Sequence, residues 1–291
     1  MTTSKDKIKA LIVEFGSSGK EIIKKMFSLG IDDAQCAILH KDNEGLSFST
    51  ETHKISCDRV SFKENESIHQ VMAGFEIVFL LVDMDKELEI NNVLISAQIA
   101  KKSGALTLGI MHRQGALAET LPQTAEKINL LTTYVDTLIT IPNQPMDSSA
   151  TESLSYRELS HPVLYQATKA ILNAQKSLKV LSIGLEDICL LMKDGGFGLF
   201  GSGYAVGEDA LTHAVKKALL SPLLDTTPLA RVKSMLITIT VPSSTNFFKI
   251  KNAVDKITGE LHANAEVIFG VVIDDNTKGV HIAITASKID S

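Results

Sequence analysis

Two glycine-bearing stretches have residue types that could hold a nucleotide: Gly16-Ser17-Ser18-Gly19-Lys20 and Gly196-Phe197-Gly198-Leu199-Phe200-Gly201. In the first, the glycines let backbone amides turn toward an anion, and Lys20 adds a positive charge. It is not a Walker A loop, which needs a glycine farther upstream and Ser or Thr after the Lys; Glu14 and Glu21 stand in those places. A smaller anion could still rest on these amides and on Lys20. The second stretch fits G-x-G-x-x-G but reads as part of a strand, without the strand–turn–helix setting of a dinucleotide fold. Its glycines predict a strand against which a helix packs closely. The eight His residues show no metal-ligand spacing. Cys36, Cys57 and Cys189 form no CxxC pair and read as free thiols of a reducing compartment, so neither zinc nor a disulfide is expected.

The elements that must carry these residues follow from hydrophobic period. Apolar runs predict buried strands at Ile8–Phe15, Cys36–Leu39, Ile77–Val82, Leu106–Ile110 and Thr137–Ile141. Helical spacing predicts helices at Glu21–Leu29, Glu87–Lys102 and Ala118–Leu131. This alternation implies a parallel sheet with helices on both faces. Pro142–Ser155 is polar and reads as a loop. A long helix is expected from Pro162, a favourable first position, to about Lys179. The second half reads as a smaller α+β unit. It has a short helix ending near Lys193, a glycine-rich strand Gly196–Ser202 and a helix Glu208–Leu220. A strand Lys233–Val241, a helix Phe247–Leu261 and strands Glu266–Ile273 and Gly279–Ala286 complete it, the last two read as a hairpin. The expected boundaries are 1–160, a linking helix 161–182, and 183–291.

Composition excludes several classes. The net charge is −5, and the Lys residues are dispersed among acids, so no basic stripe points to nucleic acid or anionic lipid. The N-terminus lacks the apolar core of a signal peptide. Ile77–Val82, the strongest apolar run, is far short of the roughly 20 residues of a membrane helix. A cytoplasmic protein is expected.

Longer runs then carry a resemblance. Gly104-Ala105-Leu106-Thr107-Leu108-Gly109 and Tyr134 to Asn143, with the sequence Tyr-Val-Asp-Thr-Leu-Ile-Thr-Ile-Pro-Asn, resemble the tubulin/FtsZ family. So do Met192-Lys193-Asp194-Gly195-Gly196 leading to Gly201-Ser202-Gly203, Ala218-Leu219-Leu220-Ser221-Pro222-Leu223-Leu224, and Ile268-Phe269-Gly270-Val271-Val272-Ile273-Asp274. The resemblance covers nearly the whole chain, in order. It implies a Rossmann-like parallel-sheet nucleotide domain, a long central helix and a C-terminal α+β domain with a mixed sheet. It also implies head-to-tail polymers in which GTP on one subunit meets acidic groups from the next.

The same resemblance shows what has changed. The family's phosphate loop G-G-G-T-G-T-G falls on Asp85, Lys86, Glu87, Leu88, Glu89, Ile90 and Asn91, with no glycine and three carboxylates. At an effective dielectric near 20, each like-charge pair at about 4 Å opposes a phosphate by about 4 kcal/mol before screening. Lys86 offsets one such effect. Asp85 and Glu87 also suit a helix N-terminus, where they take the electrostatic place of phosphate. The first glycine loop keeps only Gly16 and Gly19 around Ser17, Ser18 and Lys20. His161-Pro162 stands where the family has an Asn-Asp guanine contact, and His40-Lys41-Asp42-Asn43-Glu44-Gly45-Leu46 replaces N-T-D-A-Q-A-L. The water-positioning loop N-x-D-F-A-D becomes Ser182-Ile183-Gly184-Leu185-Glu186-Asp187, so its first acid is Gly184 and only Asp187 remains. Asp187 is expected to serve the start of a helix.

The expectation is a pseudo-GTPase: an FtsZ-like cytoskeletal, cell-division-related protein with no catalytic residues, no metal and no GTP cofactor. It would form nucleotide-independent polymers or modulate a conventional FtsZ head to tail. An active GTP-binding polymer with remodelled contacts, and a binder of another small ligand in the crevice, stay open as alternatives. The chain ends at Ser291, directly after its last strand, so no adaptor-binding tail and no direct membrane contact are expected.

Overall fold

The computed structural model describes residues 8–15, 34–42, 45–51, 59–62, 66–83, 90–113, 122–142, 166–176, 183–221, 224 and 228–290. In chain order the elements are β1 (Ala10–Phe15), β2 (Ala34–Asp42), β3 (Gly45–Glu51), β4 (Arg59–Phe62), α1 (Glu66–Met72), β5 (Ile77–Asp83), α2 (Ile90–Lys102), β6 (Leu106–Arg113), α3 (Pro122–Tyr134) and β7 (Thr137–Pro142). Then come a helix over 166–174, here α4, followed by α5 (Leu185–Met192), β8 (Gly196–Ala205), α6 (Ala210–Leu219), β9 (Val232–Val241), α7 (Phe247–Thr258), β10 (Glu266–Ile273) and β11 (Val280–Ile289).

Among the described residues the strands form one eleven-stranded sheet, ordered β10-β9-β11-β8-β7-β6-β5-β1-β2-β3-β4. From β2 through β1, β5, β6 and β7 the pairing is parallel. All six residues of β1 and Ile77–Val82 of β5 are buried, as strands covered on both faces must be. One face packs Ile12, Phe79, Leu108 and Ile139 against Ala167, Ile171 and Ala174 of α4 and Ile188 and Leu191 of α5. The other packs Leu11, Val13, Leu80 and Leu138 against α1, α2 and α3, through Met72, Val93, Ala97 and Leu131.

A third core lies over the carboxyl-terminal strands and α6 and α7. Here β8 lies close under α6. A Cβ on Gly201 would meet the Ala218 carbonyl at 2.5 Å, and one on Gly203 would meet the Ala214 carbonyl and, at 2.7 Å, the Ala218 nitrogen. Gly201 and Gly203 therefore serve helix packing. Of the other two glycines in the G-x-G-x-x-G stretch, Gly198 faces Thr137 and Ile139 of the neighbouring strand and Gly196 faces open space, so close helix packing holds for Gly201 alone of the three. The α7 helix opens on Asn246, whose side chain accepts the Phe248 N–H at 2.8 Å, an N-cap that satisfies one orphan amide.

Several expectations are corrected. Glu266–Ile273 and the last strand are not a hairpin. β9 lies between them, parallel to β10 and antiparallel to β11. The physical reason is that α7 makes a crossover that returns β10 parallel to β9, and β11 then takes the other edge of β9, where both its faces are buried. On the far side, β3 and β4 extend the parallel sheet by antiparallel pairing, and neither they nor α1 were anticipated. Alternation of Leu46, Phe48 and Thr50 with Ser47, Ser49 and Glu51 was the available signal for β3. The helix expected at Ala118–Leu131 runs over Pro122–Tyr134, and that at Phe247–Leu261 stops at Thr258 before Gly259. Pro142 closes β7 rather than opening a loop. α4 gives way to a turn at 175–176, short of Lys179. The helix expected over Glu21–Leu29, the rest of Pro142–Ser155 and the proposed start at Pro162 lie outside the described residues.

Candidate functional site

In an open parallel sheet, ligands bind beyond the carboxyl ends of the strands. Here that rim is formed by the ends of β1, β5, β6 and β7, where Asp83 stands opposite His112 and Arg113 opposite Pro142. Glu14, near the end of β1, is 2 % exposed and stands beside Leu81 of β5 and Ile38 of β2. A carboxylate therefore lies in the rim, directly before the Gly16–Lys20 stretch. Gly16, Ser17, Ser18, Gly19 and Lys20 are outside the described residues, as are Asp85, Lys86, Glu87, Leu88, Glu89 and His161. Ile90 and Asn91 are the first two residues of α2.

The second candidate segment is described from Ile183 onward; Ser182 lies outside the described residues. Gly184 has extended backbone and is the N-cap of α5. The Asp187 carboxylate reaches back and accepts the Gly184 N–H at 2.7 Å. Glycine has no side chain, so only this half of a capping box exists. The carboxylate is thus engaged at its own helix end, the role read for it from the sequence.

Sequence reasoning missed the junction that sets α5 against the sheet. The last carbonyls of α5 accept hydrogen bonds from both halves of the molecule. Thr137 Oγ1 donates to the Met192 carbonyl at 2.5 Å, Ser287 Oγ to Leu191 at 2.6 Å, and Lys288 Nζ to Leu190 at 2.6 Å. Beside it, Asp136 is buried at 3 % exposure. Its carboxylate accepts the Thr107 N–H at 2.8 Å and pairs with Lys101 at 3.3 Å, and Lys101 also reaches Asp194 at 3.4 Å. The one signal for this was a charged residue directly before an apolar strand.

A crevice of about 750 Å³ separates α4 from the carboxyl-terminal strands, lined by Gln166, Lys169 and Asn173 on one side and Thr238, Thr240 and His281 on the other. Burial, and secondarily the nearby Lys169 charge, push the His281 imidazole down to about 4, so it is neutral near pH 7. Ser202 donates to Gln166 at 2.7 Å and Thr238 to the Ala170 carbonyl at 3.0 Å, which hold the helix to this sheet. Among the described residues no group of His, Cys, Asp and Glu could hold a metal ion.

Known proteins resemble this chain in sequence and in fold. Residues 196–290 match the FtsZ family, C-terminal domain. The cell division protein FtsZ of Rickettsia conorii is 26 % identical over 303 residues, covering 95 % of this chain and 66 % of that protein. The carboxyl-terminal third of the chain is thus similar to the FtsZ family's C-terminal domain, and nearly its whole length is similar to FtsZ proteins. FtsZ of Magnetospirillum gryphiswaldense is 25 % identical, covering 98 % of this chain and 55 % of that protein. The chain thus spans somewhat under two thirds of the length of these FtsZ relatives. The tubulin/FtsZ fold is equally plain. An empty FtsZ dimer of M. jannaschii superimposes with a TM-score of 0.81 at 21 % identity, covering 98 % of this chain and 89 % of that one. TubZ of Bacillus thuringiensis serovar israelensis, in GDP-form protofilaments, gives 0.70 at 10 % identity, covering 98 % and 86 %.

Proposed function

We propose that this chain is an FtsZ-like, cell-division-related cytoskeletal protein of the cytoplasm that does not bind or hydrolyse GTP in the family's usual way. It assembles head to tail with itself or with another FtsZ-family protein, and its assembly is governed by concentration and partner rather than by nucleotide. One observation carries this reading. The seven positions that answer to the family's glycine-rich phosphate loop, Asp85 to Asn91, hold no glycine and three carboxylates.

The residues present do not fit a guanine nucleotide. Phosphate binding needs bare amides in an apolar or basic surround. Buried Glu14 adds a further acid at the rim. The surviving acid of the hydrolysis segment, Asp187, is engaged with the Gly184 N–H. No hydrolytic step is therefore assigned to this chain, and GTP is proposed not to be its cofactor. The chain's lack of a basic stripe supports protein partners over nucleic acid or a membrane surface. Among the described residues no helix is long and apolar enough to cross a membrane.

The test is equilibrium binding of labelled GTP, together with electron microscopy of the purified protein with and without GTP, alone and mixed with a conventional FtsZ. Filaments or co-assembly that ignore GTP are the expected result. A ligand at about one hundred times its Kd stabilises the native state by about 2.7 kcal/mol. Millimolar GTP is expected to leave the melting temperature unchanged. Micromolar affinity would establish the GTP-binding alternative instead.

A further inference from the structure

The two edges of the sheet are built differently. β4 is four residues long and begins with Arg59. A short edge with a cation resists pairing with foreign strands. β10 is eight residues long, reads Glu-Val-Ile-Phe-Gly-Val-Val-Ile, and carries no Lys, Arg or Pro. Its one charged residue is Glu266 at the first position, and the remaining seven residues favour strand addition. Among the described residues no strand pairs with its outer side.

The direction of its backbone can be read from one bond. The Asp274 N–H donates to the Val241 carbonyl of β9 at 3.0 Å. Backbone groups alternate sides along a strand. Val267, Phe269, Val271 and Ile273 therefore turn their N–H and C=O groups away from β9, toward the open side. Ile273 is 38 % exposed, and Val267, Phe269 and Val272 are partly exposed.

Charge selects the occupant. Glu266 is exposed at one end of the strand, and Asp274 and exposed Asp275 stand at the other. An antiparallel second copy centred on Gly270 would set Glu266 against Asp274 at both ends, like charge against like. A strand with basic ends meets opposite charge in either direction. We propose that the outer edge of β10 docks an extended apolar segment of another protein, flanked by Lys or Arg, which joins the sheet by strand addition. This surface is independent of the nucleotide rim.

The test uses the full chain and a labelled peptide, Lys-Lys-Val-Thr-Ile-Thr-Val-Lys-Lys, with three controls. One control peptide has Pro in place of both Thr, one has Glu in place of every Lys, and the third is the protein variant Glu266→Lys. Saturable binding is expected, with slowed hydrogen exchange at Val267, Phe269, Val271 and Ile273. The Pro peptide should not bind, and both charge reversals should weaken binding about tenfold at low salt and less at high salt. Absence of saturable binding overturns the proposal, as does binding that survives the Pro substitutions. Edge amides that become protected with rising protein concentration alone would make a second copy the occupant, and would also overturn it.

Discussion

The Asp187 carboxylate closes on the Gly184 N–H at 2.7 Å, across the first turn of the short helix that follows. This makes Asp187 a helix-end residue. A lost N-terminal hydrogen bond of this kind costs about 0.5–2 kcal/mol. Asp187→Ala is therefore expected to lower the unfolding free energy measured by urea titration by that amount, while leaving phosphate release from GTP at the same background level. A variant that lost measurable hydrolysis and kept its stability would return Asp187 to catalysis.

Gly203 faces backbone atoms of α6, which cannot step aside as a flexible side-chain end can. Gly203→Ala forces the helix outward. Overpacking of this kind costs about 1–3 kcal/mol. Thermal unfolding should show the loss, and Gly207→Ala, at a position with open space but a φ of 98°, separates steric crowding from backbone strain.

Asp136 joins β6, α2 and the start of β7 through Thr107 and Lys101. Replacing it with Ala leaves the buried Thr107 amide without its acceptor, at a cost of about 1–3 kcal/mol. Asp136→Asn keeps an acceptor but removes the charge that faces Lys101. Chemical unfolding should therefore rank the variants wild type, Asn, Ala. Equal loss in both would assign the effect to the ion pair alone.

His281 is neutral in the fold, because burial and then the Lys169 charge lower its pKa to about 4. The unfolded chain protonates near pH 6.5. Between those values the unfolded state binds more protons, so stability falls as pH drops through this window and is fully retained above it. The loss is at most about 3 kcal/mol by about pH 4. His281→Gln should flatten the stability profile between pH 6.5 and 4 relative to wild type. An unchanged difference between the two across that range would show that His281 titrates normally.

Much was legible in the residues alone. Parallel strands buried on both faces become continuous apolar runs, so Ala10–Phe15 and Ile77–Asp83 announce themselves. Amphipathic helices keep a stripe, so α6 and α7 were recognised. The place of Asp187 at a helix end was legible too, because an acid in the first turn can reach back to the amide of the cap. Gly184 and Asp187 also show a local relation three residues apart, which chain connectivity nearly dictates.

Tertiary structure alone decided which strand meets which. The period within Glu266–Ile273 and Val280–Ile289 marks each as a strand but carries no label for its neighbour. The loop between them resembled a hairpin, yet Ile282 pairs with Ile239 and Phe269 with Ile237 on opposite edges of β9. The reason is that pairing is chosen by burial summed over both faces of the whole sheet, and by the handedness of the crossover, neither of which any local window contains. The same holds for Thr137, Ser287 and Lys288, distant in sequence, which only the assembled sheet brings to the end of one helix.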